Sequence, residues 1–174
     1  VLDAAECPPT FGSDPSMVIG VVAGGQEALV RSLEGAEDSI EEGARSMDQL
    51  LVTSKDTVVG ISASGRTPFV IGALMKARAL HAKTVGLSTN ANPKIKEYAD
   101  VAVTPLVGPE VITGSTRMKS GTAQKLTLNM ISTASMVGIG KVYRNLMVDL
   151  KPWSQKLIER SKRIIMELTK VDYQ

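Results

Sequence analysis

Four short apolar runs rich in β-branched residues punctuate this chain: Met17 to Val22, Thr57 to Ile61, Thr84 to Leu87 and Val101 to Val103. Each is too brief for a helix and reads as a buried strand. Between and after them lie segments with helical spacing, at Glu37 to Leu51, Pro68 to Leu80, a short Pro93 to Tyr98 and a long Lys119 to Tyr143. Strand alternating with helix predicts an α/β fold: a parallel sheet covered on both faces by helices, with right-handed crossovers. In such folds ligands collect at the carboxyl ends of the strands, so the chemistry is sought there.

The 174 residues, 43% of them hydrophobic, suffice for one well-buried domain and are too few for two ordinary ones, so residues 1–174 are read as a single domain. No repeat or low-complexity linker divides them. A formal charge of +2, 3% aromatic residues and the lack of a Lys/Arg block argue against a nucleic-acid surface and suit a small anionic ligand. Cys7 is the only cysteine and His81 the only histidine, which excludes an internal disulfide and makes a zinc site or a Cys/His mechanism a poor fit. Neither metal nor cofactor is expected. No apolar run reaches the roughly 20 residues that cross a bilayer, and the first residues do not read as a signal peptide, so a cytoplasmic protein is expected.

Two clusters place small, polar and cationic residues at a helix start. Ser62-Ala63-Ser64-Gly65-Arg66-Thr67-Pro68 follows a predicted strand and precedes a predicted helix. Free backbone N–H groups and short hydroxyls there would hold a phosphate without a metal, and Gly65 lets the backbone approach closely. The plainer alternative is that Ser64 or Thr67 merely caps the helix. The second cluster runs from Gly108-Pro109-Glu110 through Gly114 to Lys125 and includes Ser115, Arg117 and Lys119. Cations at a helix N-terminus oppose its dipole, so an anion should sit between them and the helix unless the turn is simply solvated. Two further runs, Ala4 to Phe11 with Glu6 and Glu34 to Ser39 with Glu37, offer carboxylates. By residue type alone these read as surface acids and first-turn residues of a helix.

Taken together and in order, Ala4-Ala5-Glu6-Cys7-Pro8-Pro9-Thr10-Phe11, Glu34-Gly35-Ala36-Glu37-Asp38-Ser39, Ser62 to Pro68, Gly108-Pro109-Glu110-Val111, Gly114 to Lys125 and Asn145-Leu146-Met147-Val148-Asp149 closely resemble the N-acetylmuramic acid 6-phosphate etherase family. The resemblance implies a sugar isomerase (SIS) domain, a three-layer αβα sandwich of flavodoxin-like type. It also implies that the chain is the central part of a longer protein, without the first strand and the C-terminal helical region. Around Lys151-Pro152-Trp153-Ser154 the chain departs from the usual family pattern.

By the same resemblance the partners are a sugar-phosphate substrate and a second copy of the chain, and the products are N-acetylglucosamine 6-phosphate and D-lactate. Glu6 corresponds to the proton donor and Glu37 to the second active-site residue; the helix-start residues Ser62, Ser64, Gly65 and Thr67, with Ser115, Arg117 and Lys119 of the second cluster, are the expected substrate and phosphate contacts. Two rivals share the domain: a non-catalytic sugar-phosphate sensor like the regulator of glucokinase, and an aldose-ketose isomerase. The long helix, apolar on more than one side between Leu126 and Val142, is the expected dimer surface.

Overall fold

The computed structural model describes residues Val1 to Asp172. Its contacts divide the chain into two compact units, one formed by Val1–Gly20 with Thr127–Gln174 and the other by Val21–Leu126.

The second unit contains the sheet. Strands β1 (Thr57–Ile61), β2 (Lys83–Leu87) and β3 (Val101–Val103) lie side by side in sequence order, all parallel. Gly60 stands opposite Gly86, and Gly86 opposite Ala102. Helices α2 (Ile40–Gln49) and α3 (Pro68–Ala79) and a 3-10 turn at Lys94–Tyr98 complete the packing. Val70 and Leu74 of α3 leave no room for a Cβ at Gly60, and Ile95 and Ala99 would crowd one at Gly86. The two glycines thus let α3 and the turn settle close to the same face of the sheet. Helix α2 then packs on α3 through a second pair of glycines: Gly43 meets the Phe69 carbonyl and Gly72 the Ile40 carbonyl with no room for a Cβ. Met47, Ala73, Ala77 and Ala82 form one core cluster, and Ile71, Leu74 and Ile95 another, with Val58 packed against both.

The expected α/β class and parallel sheet are observed, with strands and helices within a few residues of their predicted positions. Two expectations are corrected. The apolar run Met17 to Val22 is not a strand. The helix expected over Glu37 to Leu51 is broken at Ser39, which is extended and caps α2 by accepting from the Glu42 N–H, leaving Glu37 in a separate 3-10 turn, Ala36–Asp38.

The first unit holds α1 (Leu2–Phe11), the C-terminal part of α4 (Lys119–Gly138) and α5 (Gln155–Thr169). Cys7, Phe11 and Met136 form its small core, with Val18 and Val142 against it. The Asp3 carboxylate accepts from Asn129 Nδ2 at 2.6 Å and Ser132 Oγ at 3.0 Å, pinning α1 to α4. Among the described residues no helix is long and apolar enough to cross a membrane.

Candidate functional site

At the carboxyl end of β1 the loop Ser62 to Thr67 is held by hydrogen bonds that face two ways. Its carbonyls turn toward the segment that follows β2. The Ala63 carbonyl accepts from Ser88 Oγ at 3.0 Å and Thr89 Oγ1 at 3.2 Å, the Ser64 carbonyl from Asn90 Nδ2 at 3.0 Å, and the Gly65 carbonyl from the Ile95 N–H at 3.0 Å. The oxygens that would repel an anion are therefore occupied. Gly65 has φ +71° and its missing Cβ would collide with Pro93, so both the turn and the close approach require glycine.

The hydroxyls of the loop meet one another. Ser62 Oγ lies 2.8 Å from Thr67 Oγ1 and 3.3 Å from Ser64 Oγ, and accepts from the Gly65 N–H at 3.0 Å. Ser64 Oγ accepts from the Arg66 N–H at 3.2 Å. Thr67 occupies the N-cap position of α3 yet makes no side-chain cap bond, so simple helix capping is not what its hydroxyl does. Three hydroxyls thus cluster at a helix start, and the Gly65, Arg66 and Thr67 N–H groups point onto them, forming a compact hydroxyl cradle.

The second cluster reaches the same sheet edge. Thr89 Oγ1, besides donating to the Ala63 carbonyl, lies 2.9 Å from Ser120 Oγ, tying the first turn of α4 to the loop after β2. The anion that its basic helix start requires is internal. The Glu110 carboxylate accepts from the Lys119 N–H at 3.1 Å and the Ser120 N–H at 2.9 Å. The Ser120 N–H above all, then that of Lys119, holds the Glu110 carboxyl below the usual glutamate range. Lys119 Nζ donates to the Pro109 carbonyl at 2.9 Å, Arg117 is exposed, and the half-buried Ser115 donates its N–H to the Ile112 carbonyl.

The two glutamates fall in different units. Glu6 is exposed and lies on α1, a helix not among the predicted segments. The helix runs through Pro8 and Pro9 to Gly12, whose left-handed conformation ends it with its N–H on the Pro8 carbonyl. Glu37 is exposed on the 3-10 turn that packs against α3. Beside Glu6, Cys7 is buried; burial, then the charges of Asp3 and Glu6, push its thiol upward, which fits a packing role and not a nucleophile. Among the described residues no group of three or more His, Cys, Asp and Glu side chains is arranged to hold a metal ion.

Sequence reasoning passed over the segment Ser88-Thr89-Asn90-Ala91-Asn92-Pro93, whose side chains fix the cradle. The available signal was the one used for the first loop: hydroxyl and amide residues directly after a strand.

Residues 5–78 match the glucokinase regulatory protein N-terminal SIS domain, fewer than half of the chain. Curated relatives match much further. The N-acetylmuramic acid 6-phosphate etherase of Oceanobacillus iheyensis is 60% identical over 99% of this chain and 59% of its own length. That of Alkaliphilus metalliredigens is 59% identical over 98% of this chain and 56% of its own. In sequence, nearly the whole of this chain is similar to N-acetylmuramic acid 6-phosphate etherases. N-acetylmuramic acid 6-phosphate etherase 2 of Lactiplantibacillus plantarum agrees, at 60% over 97% of this chain and 57% of its own length. The chain thus spans under two thirds of the length of these relatives. Among solved structures, the Vibrio vulnificus NanR protein complexed with ManNAc-6P aligns at TM-score 0.46 and 16% identity over 78% of this chain and 44% of its own, too distant a likeness to build on.

Proposed function

We propose that the protein containing this chain cleaves the D-lactyl ether of N-acetylmuramic acid 6-phosphate, giving N-acetylglucosamine 6-phosphate and D-lactate, in the cytoplasm and as a homodimer built on one SIS domain per subunit. The observation that carries this reading is the 59–60% identity, along nearly the whole chain, to relatives bearing that name. The hydroxyl cradle supports it, because it offers donors suited to the 6-phosphate at Ser62, Ser64 and Thr67, around Gly65. Ser115, Arg117 and Lys119 are further substrate contacts in this reading.

The chemistry follows from the open-chain form of the sugar. Its aldehyde acidifies the hydrogen on C2. Glu37, as carboxylate, takes that proton to leave an enolate; the enolate's electron pair then forms the C2–C3 double bond as the C3–O bond breaks, and Glu6, as carboxylic acid, protonates the departing lactyl oxygen. Lactate leaves and a C2–C3 alkene conjugated to the aldehyde remains. Water then adds at C3 and a proton returns to C2, so the net change is ether hydrolysis needing no redox or group-carrying cofactor.

A second reading, a sensor that binds sugar phosphate without reacting, has behind it only the match of residues 5–78 to the glucokinase regulatory protein SIS domain. Release of D-lactate separates the two. N-acetylmuramic acid 6-phosphate incubated with the purified protein, at the length of its relatives, should yield stoichiometric D-lactate and N-acetylglucosamine 6-phosphate; binding without lactate would establish the sensor instead.

A further inference from the structure

Beside the phosphate cradle lies an open cleft of about 790 Å³ lined by Arg66, Asn92, Pro93, Lys94, Lys96 and Glu97. Three of these six residues are cations and one is an acid. The salt bridges among the described residues include none of Arg66, Lys94 and Lys96. The walls of the cleft are locked to the cradle: Pro93 abuts Gly65, and the Gly65 carbonyl accepts the Ile95 N–H at 3.0 Å. Arg66 stands between Gly65 and Thr67, so one short loop carries both the cradle and a cationic residue that lines the cleft.

Resting on the function proposed above, we infer that this cleft receives the carboxylate of the lactyl group, with Arg66 as its principal partner. The substrate of that reaction carries two anions, a phosphate on C6 and a carboxylate on the ether substituent at C3. The cradle offers neutral donors, which suit a phosphate oxygen; the second anion needs a cation. A guanidinium presents a planar fork that matches a carboxylate with two parallel hydrogen bonds, and Lys94 and Lys96 add positive potential around it. The product N-acetylglucosamine 6-phosphate lacks the carboxylate. Arg66 is therefore a specificity-determining residue that distinguishes substrate from product, while the cradle holds both.

The test uses the active, full-length protein, with N-acetylmuramic acid 6-phosphate as substrate and N-acetylglucosamine 6-phosphate as competitive inhibitor. Arg66→Gln should raise the KM for substrate by about 10- to 100-fold, the range expected for loss of a charge-assisted hydrogen bond, while the inhibition constant of the product changes by less than about twofold. Arg66→Lys, which keeps the charge and loses the fork, should fall between. Equal weakening of substrate and product would overturn the inference, since it would place Arg66 on the phosphate or in the folding of the loop. So would an unchanged KM, or a substrate-selective loss in Arg117→Gln instead of Arg66→Gln. If the wild-type protein releases no lactate, it is the etherase reading that fails.

Discussion

Ser62 turns its hydroxyl into its own loop, where it meets Thr67 and Ser64 and receives the Gly65 N–H, so the cradle is preorganised before any ligand arrives. The acid and base assigned to the reaction differ from it in being exposed carboxylates on separate elements, and their roles are separable by experiment. In Glu6→Gln the protonation of the lactyl oxygen is lost but the C2 proton can still be removed. Lactate release should fall by about 10² to 10⁴ while slow exchange of the C2 hydrogen with solvent deuterium persists. Glu37→Gln should suppress both, and NMR of the C2 hydrogen beside a lactate assay reads the two steps independently. Exchange that survives in the Glu37 variant and vanishes in the Glu6 variant would reverse the roles. At this scale the hydroxyl loop was legible in the sequence, because residue type and position after a strand suffice to suggest it. The contacts of Thr89, Asn90 and Glu110 were not, since each depends on a hydrogen bond to a residue 9 to 31 positions away.

Helix α4 shows how an element closes its own electrostatic account. Its N-terminus carries Lys119 with Arg117 just before it, an arrangement that opposes the helix dipole, and the Glu110 carboxylate supplies the compensating charge through the Lys119 and Ser120 N–H groups. Because these bonds favour the ionised form, the carboxyl of Glu110 is lowered from its ordinary value of 4.5. Such an acid stabilises the fold above its unfolded-state value, and that contribution disappears as the pH falls through the lower folded value. Glu110→Gln should therefore melt a few degrees below the parent at pH 7, with the gap closing as the pH drops below the ordinary carboxylate range; thermal melts at neutral and acid pH check it. A gap independent of pH would mean that shape and not charge holds the cap. Elements of the sheet unit were legible because alternation of apolar runs with helical spacing is a periodic signal. Met17 to Val22 misled because β-branched residues form a strand only beside a pairing neighbour, whereas Met17 is held by a turn onto Asp14 and a Cβ at Gly20 would press on the Val1 backbone. Helix α1 was concealed by Pro8 and Pro9, which argue locally against a helix. It persists because its buried face, Cys7, Pro8 and Phe11, and the Asp3 anchor outweigh the two missing N–H donors.

For the whole molecule, the question is what covers the apolar surface this chain leaves open. Leu126, Met130 and Val137 recur at spacings of four and seven on α4, which brings them to one side of the helix, and all three are at least half exposed. Scattered apolar residues on a surface need no explanation, but a row along one helix face does. A twofold interface presents the same patch on both subunits, so one row can pair with its own copy without any second complementary surface. This supports the proposed homodimer, and the middle of the row is where a charge does most harm. Light scattering on the protein at the length of its relatives should show a dimer at micromolar concentration, and Met130→Glu should weaken it at least about tenfold, because a central interface residue commonly contributes 2 kcal/mol or more and a buried unpaired carboxylate adds its own penalty. The same substitution should leave the melting of the dissociated subunit nearly unchanged, since Met130 is 63% exposed within the chain. A wild-type protein that stays monomeric would sink the dimer, and a Met130→Glu variant that dimerises normally would move the interface off this face of α4.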